Sequence, residues 1–125
     1  MELKEYQERA MTTCMPSSNN FSYMFLNLVG EVGEFASKIA KAIRKDKYSI
    51  EEKQLYGIID DEELQKEAGD ILWQLSGLCS VMGWSLEDVA QQNLDKLAAR
   101  KAVGTIDGNG DGIIRGKWLC WKLIR

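Results

Sequence analysis

The sequence predicts an all-α protein, a four-helix bundle-like unit followed by a short irregular C-terminal tail. Apolar residues recur at spacings of three and four in four stretches, as in helices with one buried face, and the apolar–polar alternation of a half-buried strand is missing. The single proline, Pro16, falls between two of these stretches rather than inside one.

The first helix is carried by Leu3, Tyr6, Ala10, Met11 and Cys14 and stops before Pro16, Ser17, Ser18, Asn19 and Asn20. The second stripe comprises Met24, Phe25, Leu28, Val32, Phe35, Ala36, Ile39 and Ile43. It closes in the basic stretch 41–47, where cations complement the carbonyl end of a helix. Residues 48–57 are weakly periodic and read as a short helix or an ordered loop. Asp60 and Asp61 are good N-caps for a third helix, with Glu62 and Glu63 in its first turn. Its stripe is Leu64, Ala68, Ile71, Leu72, Leu75, Leu78, Cys79 and Met82, and Gly83 ends it. Ser85 with Asp88 resembles a capping box and opens a fourth helix through Val89, Leu94, Leu97 and Ala98 to about residue 101. From Gly104 the periodicity breaks into a glycine-rich loop and then a basic, apolar tail over 113–125.

A chain of 125 residues fits one domain, 1–125, with its core at about 20–103 and the loop and tail at 104–125. Sixteen Lys+Arg against 19 Asp+Glu leave a net charge of −3, which argues against a nucleic-acid polymer as partner. There is no histidine, which excludes Ser-His and Cys-His catalysis, histidine general bases and His-containing zinc sites. Cys14, Cys79 and Cys120 lie far apart and form no CxxC pair, so a reducing cytoplasm is the simpler expectation. The first ten residues lack the apolar core of a signal peptide. No stretch reaches the roughly 18–20 apolar residues of a membrane span, so no membrane partner is expected.

The second and third long helices repeat one pattern 36 residues apart: Glu31-Val32-Gly33-Glu34 matches Glu67-Ala68-Gly69-Asp70, and Lys38 matches Gln74. On a wheel of about 100° per residue, with Leu28 and Leu64 at zero, both apolar stripes run from about 320° to about 80°. Glu31 and Glu67 then fall at about 300°, and Glu34 and Asp70 at about 240°. If the helices pack through these faces, four carboxylates converge at the margin of the core. Gly33 and Gly69 would let the backbones or a ligand come close. Partly buried like charges need neutralising, either by Lys38 and Lys41 or by a hard divalent cation. An all-oxygen set without histidine suits Mg²⁺ or Mn²⁺ far better than Zn²⁺. The plain alternative is that the acids are solvated helix flanks.

The run Leu28-Val29-Gly30-Glu31-Val32-Gly33-Glu34-Phe35-Ala36, followed by Glu67-Ala68-Gly69-Asp70-Ile71-Leu72-Trp73, resembles the ExxE…ExxD signature of MazG-like nucleoside triphosphate pyrophosphohydrolases. The segment Asn93-Leu94-Asp95-Lys96-Leu97-Ala98-Ala99-Arg100-Lys101 is similar to that family's following helix, and Gly104-Thr105-Ile106 with Gly108-Asn109-Gly110-Asp111 to its C-terminal loop. The resemblance covers about residues 20–115. It implies an all-α homodimer or homotetramer that uses Mg²⁺, with Mn²⁺ as substitute, to cleave an NTP or dNTP to the monophosphate and pyrophosphate, a nucleotide-pool house-cleaning role. It also implies that Glu31, Glu34, Glu67 and Asp70 hold the metal and form the catalytic set, and that Asn93, Lys96 and Arg100 contact phosphates or ribose. Lys38, on the edge of Glu34, would add charge for the phosphates. Gly30 stands where many members carry another glutamate, the spacer to Glu67 is long, and the tail around Arg115 departs from the family's loop ending.

Phosphoanhydride hydrolysis needs neutralised phosphates and a positioned water, and neither requires histidine. Glu34 is the carboxylate expected to orient that water or take its proton. Two alternatives remain from other classes: a non-catalytic helical interaction or oligomerisation protein, and a pyrophosphohydrolase of another diphosphate such as a phosphoribosyl compound. Asp107, Asn109, Asp111 and Gly112 imitate the start of an EF-hand loop, but Trp118 stands where the bidentate glutamate is required. Trp73, opposite its helix's apolar stripe, either packs on another helix or subunit or stacks on a nucleobase. The aromatic, basic tail is expected to dock on the bundle or on a second subunit, and a unit this small gains from dimerisation.

Overall fold

Several helix boundaries in the computed structural model, which describes residues 1–45, 48–49, 54–55 and 61–106, have a local cause. Helix α1 spans Leu3–Met11, and a 3₁₀ turn follows at Pro16–Ser18, led by the proline. Helix α2 spans Phe21–Arg44, and its N-cap Asn20 accepts a hydrogen bond from the Tyr23 N–H at 2.9 Å. Lys41 and Arg44 fill its last turn, where cations oppose the exposed carbonyls. Helix α3 spans Asp61–Val81 and α4 spans Leu86–Ala102. The expected all-α class is found, and the structure departs from it at one place. Within 48–57, β1 (Tyr48–Ser49) pairs antiparallel with β2 (Gln54–Leu55), Tyr48 opposite Leu55. A segment without helical periodicity satisfies its backbone across a ladder instead. The glycine-rich loop, its EF-hand-like start at Asp107, Arg115, the tail, Cys120 and the cap residue Asp60 lie outside the described residues.

The chain divides into two compact units, Met1–Leu86 and Glu87–Arg125. In the first, α2 packs along α3, and α1 lies against α3. Met24, Ala42, Leu64, Cys79 and Leu86 are its buried apolar residues. The expected stripe of α2 is wider than this interface. Met24 is buried and Leu28, Phe35 and Ile39 are half-buried, whereas Phe25, Val32, Ala36 and Ile43 are exposed, as is Val29 outside the stripe.

Met24 of α2 packs onto α3 at a glycine that the sequence did not single out. A Cβ on Gly77 would collide with the Met24 thioether, and Met24 is fully buried. Gly33 and Gly69, expected to permit close backbone approach, do not serve it: a Cβ on either would meet nothing within 4 Å among the described residues. The two ExxE-type turns meet through long side chains, which leaves their glycines facing open space.

Polar contacts fasten α1. The Gln7 amide donates to Ser80 Oγ at 3.0 Å and to the Trp84 carbonyl at 2.9 Å, and its Oε1 accepts the Leu86 N–H at 2.8 Å. Trp73 Nε1 donates to Thr13 Oγ1 at 3.0 Å and to the Ala10 carbonyl at 3.2 Å. Of the two fates the wheel left open for Trp73, packing on a neighbouring helix is the one found.

Gly83 ends α3 as expected, with φ +71°. The Trp84 N–H reaches the Cys79 carbonyl at 2.8 Å and the Gly83 N–H the Ser80 carbonyl at 3.1 Å, the paired bonds of a Schellman turn. In the second unit Gly104, also at φ +71°, closes α4 in the same way: the Thr105 N–H bonds Arg100 at 3.0 Å and the Gly104 N–H bonds Lys101 at 3.3 Å.

Replacing Gln7 by Ala removes all three of its bonds and strands the N–H of Leu86, which is 3% exposed. Urea denaturation should show a loss of about 1–3 kcal/mol.

Candidate functional site

The α2–α3 pairing brings together acids that lie far apart in sequence. One carboxylate oxygen each from Glu31, Glu67 and Asp70 lies within 4.8 Å of the others. Glu31 comes from the middle of α2, and Glu67 and Asp70 from successive turns of α3. Glu31 and Glu67 are half-buried and Asp70 is exposed. Glu34, one turn along α2 from Glu31, is exposed and stands outside this trio. The expected convergence of the two acidic pairs therefore holds for three of the four, with the fourth beside them.

The cluster's electrostatics register most clearly at Glu31, whose carboxyl is held above its ordinary range. Partial burial is the largest cause, followed by the charges of Glu34 and Asp70 and, more weakly, Glu67. The Asn27 amide opposes these by donating to Glu31 Oε1 at 3.2 Å. Tyr6 of α1 is also affected: burial first, then the charge of Asp70, raises its phenol above the usual value.

Lys38 makes ion pairs within the first unit. Its Nζ lies 2.5 Å from Glu67 Oε1 and 2.9 Å from Glu63 Oε1, so its protein partners are carboxylates. Hydrogen bonds to Glu67 and then Glu63 raise its pKa. Gln74, the α3 counterpart of Lys38, is 4% exposed, and its Oε1 has no hydrogen-bond partner among the described residues. It lies four residues beyond Asp70 and so occupies the same side of the helix one turn on. Asn93, Lys96 and Arg100 lie on α4 in the second unit, at spacings that put them on one face of that helix.

Three participants went unnoticed in the sequence: Asn27, Glu63 and Tyr6. The first two carry a legible signal, since each sits four residues before an acid of the cluster, one turn away on the same face. Tyr6 carries none, because only the packing of α1 on α3 brings it near Asp70. A separate groove of about 640 Å³ between α1 and the end of α3 is lined by Gln7, Met11, Cys14, Ser80 and others, and by none of the four acids.

The donor set fits a small hard cation. All three trio members offer carboxylate oxygen. Mg²⁺ takes such oxygens at about 2.0–2.1 Å in octahedral geometry, so three of them on one ion lie about 3–4 Å apart. The trio, within 4.8 Å, is somewhat wider than that and would have to draw in on binding. Among the described residues no helix is long and apolar enough to cross a membrane.

Residues 19–104 match the MazG nucleotide pyrophosphohydrolase domain. The chain is 38% identical over 96 residues to the Gene 37 protein of Mycobacterium phage L5, a match covering 76% of this chain and 78% of that protein. No solved structure matches the chain.

The raised Glu31 carboxyl has a consequence for stability. The folded state holds the Glu31 proton more tightly than the unfolded chain does, so ionising Glu31 costs stability as pH rises from the ordinary carboxylate value through the raised one. Glu31→Gln in metal-free protein should therefore melt higher than the parent above this window, and the difference should vanish below it. Thermal melts across pH check this, and an equal difference at every pH would contradict it.

Proposed function

Because the chain belongs to the MazG nucleotide pyrophosphohydrolase domain family, we propose that it hydrolyses a nucleoside or deoxynucleoside triphosphate to the monophosphate and pyrophosphate, with Mg²⁺, or Mn²⁺ in its place, as cofactor. The approach of Glu31 to Glu67 and Asp70 across the α2–α3 interface carries the reading. Solvated flanks would have no reason to gather on one spot from two helices, since gathering raises their mutual repulsion.

In this proposal Glu31, Glu67 and Asp70 hold the metal and Glu34 completes the catalytic set. The cation, when bound, neutralises phosphate charge and acidifies a water. Asn27 keeps the Glu31 carboxylate aimed by its hydrogen bond. Glu34, exposed beside the trio, orients the attacking water and accepts its proton. Lys38 adds positive charge at the edge of the cluster, and Asn93, Lys96 and Arg100 of α4 contact phosphates or ribose. We propose residues 1–125 as one functional domain.

We further propose a homodimer or homotetramer. Phe21 and Phe25 stack at 5.8 Å while remaining 52% and 47% exposed, and Val29 and Val32 continue the exposed apolar strip along α2. Such a strip is what an apolar interface between copies would cover. The proposed setting is a reducing cytoplasm, consistent with Cys14 and Cys79 as free thiols, and the proposed role is clearing unwanted nucleotides.

A screen of the standard NTPs and dNTPs with Mg²⁺ should release pyrophosphate and the monophosphate from at least one of them; release of orthophosphate alone contradicts the cleavage position. Glu34→Gln should lower turnover by about 100-fold or more while leaving the circular dichroism spectrum unchanged. A fully active variant removes Glu34 from its role.

A further inference from the structure

We propose that Lys38 is a built-in counter-cation of the acidic cluster, which a divalent cation displaces from Glu67 and which Glu63 then retains at the edge of the site. The inference rests on the metal-dependent reading above and deepens it, because it assigns Lys38 and Glu63 a positioning role in cation entry.

The geometry supplies an inner and an outer anchor for one ammonium. Lys38 Nζ pairs with Glu67, whose side chain is 13% exposed, and with Glu63, whose side chain is 53% exposed. The two glutamates are four residues apart, one turn of α3, so they present their carboxylates on the same face. Rotation about the flexible lysine stem lets the ammonium leave one while keeping the other. Glu67 alone of the two belongs to the trio with Glu31 and Asp70. In the metal-free cluster the lysine thus offsets part of the charge that Glu67 adds to the repulsion on Glu31.

A divalent cation shared by Glu31, Glu67 and Asp70 would sit within a few ångströms of that ammonium, and like charges at such range repel. Glu63 resolves the conflict. It lies outside the trio, is open to solvent, and already bonds the lysine at 2.9 Å. The alternative is a plain strut in which Lys38 only ties α2 to α3. The two differ in sign: removing a strut loosens the cluster and weakens metal binding, whereas removing a competitor strengthens it.

Calorimetric titration of the full chain with Mn²⁺ decides between them. Lys38→Met should bind Mn²⁺ about three- to tenfold more tightly than the parent, as expected on losing one nearby unit charge, and its metal-free form should melt lower. The gain should shrink at high salt. Lys38→Arg should restore the parent affinity to within about twofold, since it keeps the charge. Glu63→Gln should weaken Mn²⁺ binding in the parent, yet change it by less than about twofold in the Lys38→Met background, because the residue acts through the lysine. A Lys38→Met protein that binds Mn²⁺ no more tightly than the parent overturns the proposal. If that variant does not fold, an unchanged affinity in Glu63→Gln does so. Failure of the parent itself to bind Mn²⁺ or Mg²⁺ would instead overturn the metal-dependent function, and this inference with it.

Discussion

Crowding like charges at the junction of α2 and α3 is the constraint on which the site depends. Three carboxylates within 4.8 Å are held there by helices whose packing is set elsewhere, at Met24 and Gly77 and along the half-buried row Leu28, Phe35 and Ile39. Apolar burial thus forces a proximity that electrostatics alone would disperse. The molecule answers with Lys38 on Glu67, the Asn27 amide on Glu31, and the exposure of Asp70 to water.

Helix α1 gives that arrangement a second support. It precedes the stretch that matches the MazG domain, yet it is bound to α3 by Gln7 on Ser80 and by Trp73 on Ala10 and on Thr13 just past its end. The contacts fall on both sides of the third helix's buried polar pair, Gln74 and Ser76. The helix that carries Glu67 and Asp70 is therefore gripped by α2 along one face and by α1 along another.

How much of this was legible in the sequence varies with the range of the interaction responsible. Helix ends governed by neighbours were readable at Pro16, before which the first helix stops, and at Gly83 and Gly104, which turn the chain out of α3 and α4, whereas Asn20 as the cap of α2 was not singled out. The acidic face was readable too, because a repeated ExxE-type turn fixes wheel angles without any tertiary knowledge. The glycines of close approach were not. Gly33 and Gly69 drew notice because they recur with the acids, whereas Gly77 is the one that α2 needs, and only the path of α2 over α3 reveals it. Likewise the apolar stripe of α2 suggested one buried face, but its width exceeds what α3 covers, and the excess includes Phe25, Val32 and Ile43. The short ladder at Tyr48 and Leu55 escaped because two residues per strand carry no period to detect.

The seating of Met24 has a chemical corollary. Its sulfur lies against Gly77 with no surface exposed, whereas Met1, Met15 and Met82 stand open to solvent. A peroxide meeting the folded chain would convert the outer thioethers to sulfoxide first and reach Met24 only when α2 lifts from α3. The added oxygen would crowd Gly77 on the helices' return, so each such event would mark the packing until the sulfoxide is reduced.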